Sequence, residues 1–315
     1  MLQHPFIQWV RKGLKSISPS AVEAEWHYLF AIYKSKQSIN LLLINKTLSQ
    51  ILHQQHLSLE EESSLLSIIQ LLRQKFKIAD FKITLVMAVN EYQAQTIESL
   101  AVQENELAAA LPWKIKNQLT YAIDEAAIDY VILPAKKSGQ QHPLLIAFSM
   151  HKVLYQDLVT QFYKNFSVPL TITVPEIALK NLASYYESEE KSTVMLFFTS
   201  NFLILTISRE KQLYFSRHIA MDNTLAEQAL AEKLGLDILR CMDYFQNQWR
   251  LPTPARLLYL TDYPIKPTLL DMLSQLLHNT IKHYQLESLQ LNPPLNDIDY
   301  LSIAELIALQ EVHHA

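Results

Sequence analysis

Glycine is almost missing from this chain: Gly13, Gly139 and Gly235 are the only three in 315 residues, where ordinary usage would supply about 22. The deficit constrains turns and sites alike. Glycine reaches positive φ without a steric cost, and it lets backbone N–H groups close on an anion with no Cβ in the way. A chain without a glycine cluster lacks the usual phosphate cradle, so composition alone speaks against nucleotide hydrolysis.

The remaining composition sets the broad class. At 49% hydrophobic and 18% charged residues the chain can bury a large core, and its length suggests about two domains. A net charge of −4 argues against a protein-wide nucleic-acid surface. The single Cys241 excludes an internal disulfide and a cysteine metal cage, and it fits a reducing compartment. No stretch reaches the ~18 consecutive apolar residues of a membrane-spanning helix. The N-terminus lacks an apolar signal core and a small-residue cleavage site. The expectation is a soluble, cytoplasmic protein.

Residues 1–23 stand apart as a basic amphipathic arm. Phe6, Ile7, Trp9, Val10, Leu14 and Ile17 interleave with Arg11, Lys12 and Lys15. On a helix this gives an apolar side edged by cations, suited to weak peripheral membrane contact through Phe6, Trp9, Arg11, Lys12 and Lys15. The alternative is an arm packed on its own domain or left mobile.

From Tyr28 onward, apolar runs over Tyr28–Tyr33, Ile39–Ile44 and around Ile51-Leu52 predict a three-stranded meander. Ser58 with Glu61 three residues on predicts a capping box. It would open a helix with Glu60, Glu61 and Glu62 at the positive end of its dipole and Arg73 and Lys75 at the other. Leu65, Ile68, Ile69 and Leu72 would be its buried stripe, and Phe81–Val89 the next strand. A subdomain over about 92–170 follows. It reads as a strand at Tyr92–Glu98 and a helix carrying Leu107, Leu111, Ile115 and Leu119, which Pro112 should kink or split. Strands at Ala126–Leu133 and Leu144–Ser149, a helix at Val153–Phe166 and a strand at Val168–Val174 complete it. Lys136–Gly139 reads as an exposed, mobile loop, and Pro175 as the first residue of a helix to about Tyr186.

Glu187–Ser192 is the expected joint between lobes. Strands over Thr193–Phe198, Phe202–Ser208 and Gln212–Ile219 then repeat the meander. A helix from about Asn223 to Trp249 turns Leu230, Leu234, Ile238, Met242 and Phe245 inward. Strand Leu257–Leu260, helix Thr268–Tyr284, strand Leu286–Leu291 and a final helix over about 302–312 complete the chain. Each half thus shows a meander, a helix and a further strand, a structural duplication. The expected fold class is α/β, an actin-like ATPase fold. It would have two lobes, 24–190 and 191–315, each with a mixed sheet and flanking helices. The first lobe holds the inserted subdomain, and the final helix could return to pack on it.

Glu106-Leu-Ala-Ala-Ala-Leu-Pro-Trp-Lys-Ile-Lys116, followed by Asp124-Glu125 and Asp129-Tyr130, resembles the middle of the MshI family of mannose-sensitive haemagglutinin pilus biogenesis proteins. More distantly the chain is similar to PilM, the cytoplasmic actin-like component of type IV pilus assembly. Pro175–Leu179 falls where those proteins return to their first lobe. The parent fold holds nucleotide between its lobes, with an Asp-x-Gly turn in each lobe and a late Gly-Gly. Here the first turn, Lys34–Gln37, has neither aspartate nor glycine. The second aligns with Leu196–Asn201, putting Thr199, Ser200 and Asn201 at the turn. Thr261-Asp262 stands where Gly-Gly would. The resemblance therefore implies a pseudo-ATPase without cofactor or metal, acting as a scaffold in assembly of an MshA-like type IV pilus. Its partner would be the cytoplasmic N-terminal segment of an inner-membrane assembly subunit, held in a groove between the first lobe and its subdomain. The competing reading is a weak ATPase or phosphotransferase on the same fold, which needs phosphate-binding N–H groups and a metal-binding carboxylate. A third, the cytoplasmic domain of a related secretion system continuing into a membrane span, is disfavoured by the lack of such a span.

Other side chains admit chemistry and a plainer role. His53-x-x-His56 has helical metal-ligand spacing but falls in a strand-like segment, where a polar surface is expected. His313-His314 could bind metal adventitiously. Cys241 reads as a small buried apolar residue, although a dyad with a distant histidine is open, and Asp243 shares its helix. Asp262 suits a turn better than a metal. Trp113 is either a partner anchor or a core residue. Arg217-His218 is expected to be an exposed edge.

Overall fold

The computed structural model describes residues 26–35, 38–46, 50–135, 142–186, 191–285 and 295–310. The N-terminal arm with Phe6, Trp9, Arg11, Lys12 and Lys15 lies outside the described residues. So do the loop at 136–141, residues 187–190 of the joint, the expected strand at 286–291 and the pair His313-His314.

Two five-stranded sheets repeat one order. The first runs β3-β2-β1-β4-β8. Its strands are β1 (Tyr28–Lys34), β2 (Ser38–Asn45), β3 (Gln50–Ser58), β4 (Phe81–Val86) and β8 (Leu170–Thr173). β1, β2 and β3 form the antiparallel meander. Helix α1 (Leu65–Phe76) then returns the chain so that β4 lies parallel to β1, with Tyr28 opposite Phe81. The unbroken apolar runs of β1 and β2 are buried almost throughout, as expected of strands covered on both faces.

The second sheet runs β11-β10-β9-β12-β13. It is built from β9 (Thr193–Phe198), β10 (Phe202–Arg209), β11 (Gln212–Ala220), β12 (Arg256–Thr261) and β13 (Ile281–His283). The duplication predicted from apolar patterning is thus present, with a fifth strand added in each copy.

The insertion is a three-stranded antiparallel sheet, ordered β5 (Tyr92–Glu98), β7 (Leu144–His151), β6 (Ala126–Ile132). Helix α2 (Glu104–Ile115) covers one face, packing Leu107, Leu111 and Ile115 on Ile97, Leu145 and Ala147. Residues of opposite parity face the other way: Asp129 lies beside Tyr155 of α3 (Lys152–Phe166).

The remaining helices are α4 (Pro175–Ser184), α5 (Glu227–Trp249), α6 (Pro267–Leu276) and α7 (Asp297–Gln310). The described residues pack as two units, 26–132 with 144–175, and 133–135, 142–143, 176–285 and 295–310. Helix α4, expected in the first lobe, packs in the second unit, where the Tyr284 hydroxyl donates to the Leu182 carbonyl at 3.1 Å. Helix α7 packs against β12 of that unit, and the Asp297 carboxylate accepts the Thr261 N–H at 3.0 Å.

Several element ends differ from expectation. Glu61 accepts the Ser58 N–H at 2.9 Å, half of the capping box. The Ser58 hydroxyl also donates to Glu61 instead of capping a helix N–H. A 3₁₀ turn over Leu59–Ser64 follows, so the α-helix begins only at Leu65 and Glu60 and Glu61 fall outside it. Strand β4 stops at Val86, short of Val89. Pro112 does not split α2, which continues to Ile115 before a 3₁₀ turn over Lys116–Gln118. α5 starts at Glu227 because Asp222 holds Thr224 in a turn, accepting its N–H at 3.1 Å. The helix expected to reach Tyr284 stops at Leu276, where His278 adopts φ 49° and the Ser274 hydroxyl takes the Ile281 N–H at 3.1 Å. Ile281–His283 then pairs parallel with β12.

Scarce glycine leaves its mark on the backbone. The left-handed residues that close α1, α3 and α5 are Lys77, Ser167 and Arg250, at φ 54°, 48° and 52°. The two-residue turn between β10 and β11 uses Glu210 and Lys211, both at positive φ, where Asn-Gly is usual. Gly235 serves another purpose. A Cβ there would meet Leu276 Cδ1 at 3.1 Å, so its missing side chain lets α5 approach α6 closely.

Candidate functional site

The turn between β9 and β10 is where the resemblance would place a phosphate-binding hairpin. Its backbone is already occupied. The buried Thr199 hydroxyl accepts N–H bonds from Phe202 at 3.0 Å and Asn201 at 3.4 Å, and it lies 3.0 Å from the Phe202 carbonyl. The Ser200 carbonyl is taken by the Asn223 amide at 2.7 Å, and the Asn201 carbonyl by the Met221 N–H at 2.8 Å. A phosphate would need those N–H groups free. Here a threonine stands where glycine would leave them open.

At the end of β12 the pattern repeats. The Thr261 hydroxyl lies 3.2 Å from the Phe198 carbonyl and accepts the Tyr263 N–H at 3.0 Å. The Asp262 N–H donates to the Phe198 carbonyl at 3.1 Å, extending the pairing of β12 with β9. Thr199, Ser200, Asn201, Thr261 and Asp262 therefore do gather at neighbouring strand ends of one sheet, but they bond chiefly to the chain itself.

Two histidine–carboxylate pairs sit in the same unit, and neither was foreseen. Glu176, at the second position of α4, is fully buried and pairs with His218 of β11 at 2.7 Å. His218 is thus not the exposed edge expected of it. Burial pushes its imidazolium down in pKa, yet the hydrogen bond and charge of Glu176 outweigh this and raise it. His283 of β13 pairs with Asp297 at 2.6 Å, and that bond raises its pKa. Both pairs tie a helix start to a strand. Pro175-Glu176 marks such a start in the sequence, but its histidine lies 42 residues away.

The other candidates resolve plainly. His53 and His56 lie on β3, where a spacing of three puts side chains on opposite faces. They bond to Gln55 at 3.1 Å and Asn40 at 2.5 Å. Among the described residues no group of three His, Cys, Asp or Glu side chains could hold a metal. Cys241 is buried, and burial pushes its thiol up to about 11, whereas Asp243 is exposed.

The first unit offers a groove. Ile32, Lys34 and Ile39, with Leu85, form its floor, and Leu65 of α1 and Leu158 and Phe162 of α3 form its walls. Its volume of about 60 Å³ suits one apolar side chain, far below the ~300–1,000 Å³ of small-molecule sites. Lys34 pairs with Glu91 at 2.7 Å. On α2, Trp113 is 69% exposed with Lys116 Nζ 5.8 Å from its ring, so it is no core residue.

No protein-family profile matches this chain. No curated protein matches it in sequence. Solved structures do match in shape. The chain is similar to a structure of a PilM–PilN type IV pilus biogenesis complex (TM-score 0.63, 12% identity, 90% of this chain and 98% of that one). It is also similar to a Bacteroides thetaiotaomicron protein of actin-like ATPase fold and unknown function (TM-score 0.51, 13% identity, 89% and 96%). The cytoplasmic domain of EpsL, an inner-membrane component of the Vibrio cholerae type II secretion system, matches at TM-score 0.49 and 10% identity, over 91% and 95%. Among the described residues no helix is long and apolar enough to cross a membrane. With its repeated strand order and near-complete coverage of these structures, the chain has the actin-like ATPase fold.

Proposed function

We propose that this chain is a non-catalytic, cytoplasmic actin-like scaffold of type IV pilus assembly, of the MshI and PilM kind, serving an MshA-like pilus at the inner membrane. The single observation that carries the non-catalytic part is the β9–β10 turn, where the Asn201 and Phe202 N–H groups both bond to the Thr199 hydroxyl. The pilus part is supported by the shape shared with a chain solved as a PilM–PilN complex.

The partner is the extended cytoplasmic N-terminal segment of an inner-membrane assembly subunit. An apolar side chain of that segment fits the groove of Ile32, Leu65, Leu158 and Phe162. Trp113, on the other face of the inserted sheet, is a separate anchor for the assembly machinery.

Capture of synthetic N-terminal peptides from membrane subunits encoded beside this chain tests the reading. Micromolar binding is expected, weakened at least tenfold by Phe162→Ala, and no capture at high micromolar peptide overturns it. Mg²⁺-ATP should leave the melting temperature unchanged. A rise growing with nucleotide concentration would instead favour the weak ATPase or phosphotransferase.

A further inference from the structure

We infer that the end of the first sheet where β1 and β4 begin is a docking surface for an anionic lipid bilayer. It would be a second attachment beside the basic N-terminal segment. The inference rests on the reading of a body that works next to a membrane.

Topology gathers the cations. β1 and β4 start together at Tyr28 and Phe81, and β2 ends beside them at Asn45. α1 ends where it leads into β4. α3 ends where it leads into β8, which pairs Leu170 with Ile83, and the Phe81 and Phe166 rings are 5.8 Å apart. Lys46, Lys75, Lys77, Lys82 and Lys164 therefore share this end. Lys75, Lys77 and Lys164 are exposed. Among the described residues Asp80 is the acid of this end, and its carboxylate is already taken by the His27 ring and by the His27 N–H at 3.0 Å.

Lysines near helix C-termini complement the dipole, which accounts for Lys75 and Lys164. It does not account for Trp26. This half-buried indole stands at the start of β1 with Lys46 Nζ 4.6 Å and Lys82 Nζ 5.8 Å from its ring. Nor does it account for the apolar side chains exposed among these cations, Leu71 at 64% and Tyr163 at 44%. An aromatic and aliphatic surface edged by lysines is the chemistry of the bilayer interface.

In the sequence, Phe6, Trp9, Arg11, Lys12 and Lys15 precede Trp26, the first of the described residues. One short amphipathic segment binds lipid only marginally, and stable attachment takes two signals. The lysine-rich end supplies the second, acting within the ~8 Å Debye length of physiological salt.

The test is sedimentation of the full chain with phosphatidylcholine vesicles, pure or with about one-third phosphatidylglycerol. Binding to the mixed vesicles is expected, weakened about 10- to 100-fold in the triple variant Lys75→Gln, Lys77→Gln, Lys164→Gln. The matching Lys→Arg triple should retain binding, and unchanged circular dichroism should show both variants folded. Equal binding by the Gln triple, equal binding to pure phosphatidylcholine, or no binding by the parent chain would each overturn the proposal. So would soluble polyglutamate binding this end as tightly as vesicles do, since the surface would then serve an acidic protein. The Gln triple should still capture the membrane-subunit peptide. If the parent chain captures no peptide while vesicle binding still depends on these lysines, the scaffold reading falls and this one stands.

Discussion

The two five-stranded sheets share a strand order yet are held differently. In the first, the buried polar side chains include Lys34, which pairs with Glu91 at 2.7 Å, with Asn40 and Thr84. In the unit of the second, a fully buried carboxylate, Glu176, pairs with His218, and Thr193, Thr206, Ser208, Asp299 and Ser302 are buried as well. The lesson is that topology asks only for the alternation of apolar runs and turns. What fills the strand ends differs between the copies, and the second has side-chain hydrogen bonds at Thr199 and Thr261 with a buried pair of Glu176 and His218.

Removing His218 should sharpen this contrast most. His218→Ala removes the charge partner of buried Glu176, and should cost about 3 kcal/mol in urea denaturation. Breaking the exposed His27–Asp80 pair of the first unit by His27→Ala should cost under about 1 kcal/mol. Similar losses from both would erase the distinction.

pH should also separate the units. His218 and His283 have raised pKa values, so their stabilisation is complete below the ordinary histidine value of about 6.5. It is lost as pH rises through the folded values. Carboxylates do not separate the units: hydrogen bonds lower Glu61 and Asp80 in the first, from Ser58 and His27, and Asp222 and Glu227 in the second, from Thr224 and Thr268. Their contribution is present above about pH 4 and lost on acidification. Amide protection factors, with the intrinsic pH dependence of exchange divided out, should fall in β11 and β13 from about pH 6.5 upward while those of β1 and β2 hold. An equal fall in all four strands would contradict the assignment.

Smaller effects follow at the turns. Thr199→Ala should cost about 1–2 kcal/mol by leaving two N–H groups unpaired, and the test is whether chemical denaturation shifts without any new Mg²⁺-ATP stabilisation. Smallest of all, Lys211→Gly and Lys77→Gly should each stabilise by about 0.5 kcal/mol, since both residues hold positive φ. Destabilisation in either would mean that its side chain matters more than its backbone.

Much of the architecture was legible because strands buried on both faces write themselves as continuous apolar runs. Tyr28–Lys34, Ser38–Asn45, Thr193–Phe198 and Phe202–Arg209 were found within a residue or two. Helix ends were less legible. Nothing local distinguishes a helix through Leu276-Leu277-His278 from one that stops there, because the stop depends on Ile281 finding Leu257 across the sheet. The candidate site was less legible: nothing local in the sequence showed that the Thr199 hydroxyl would take the Asn201 and Phe202 N–H groups.

By itself, the sequence determined the duplicated α/β pattern and the shortage of residues able to leave a phosphate-binding backbone open. Both are local properties, carried by hydropathy and by backbone steric freedom. Tertiary structure decided which unit α4 and α7 join, that Trp113 faces solvent, and that His218 meets Glu176. Those outcomes turn on contacts between residues far apart in the chain, whose energies exist only once the sheets have brought them together.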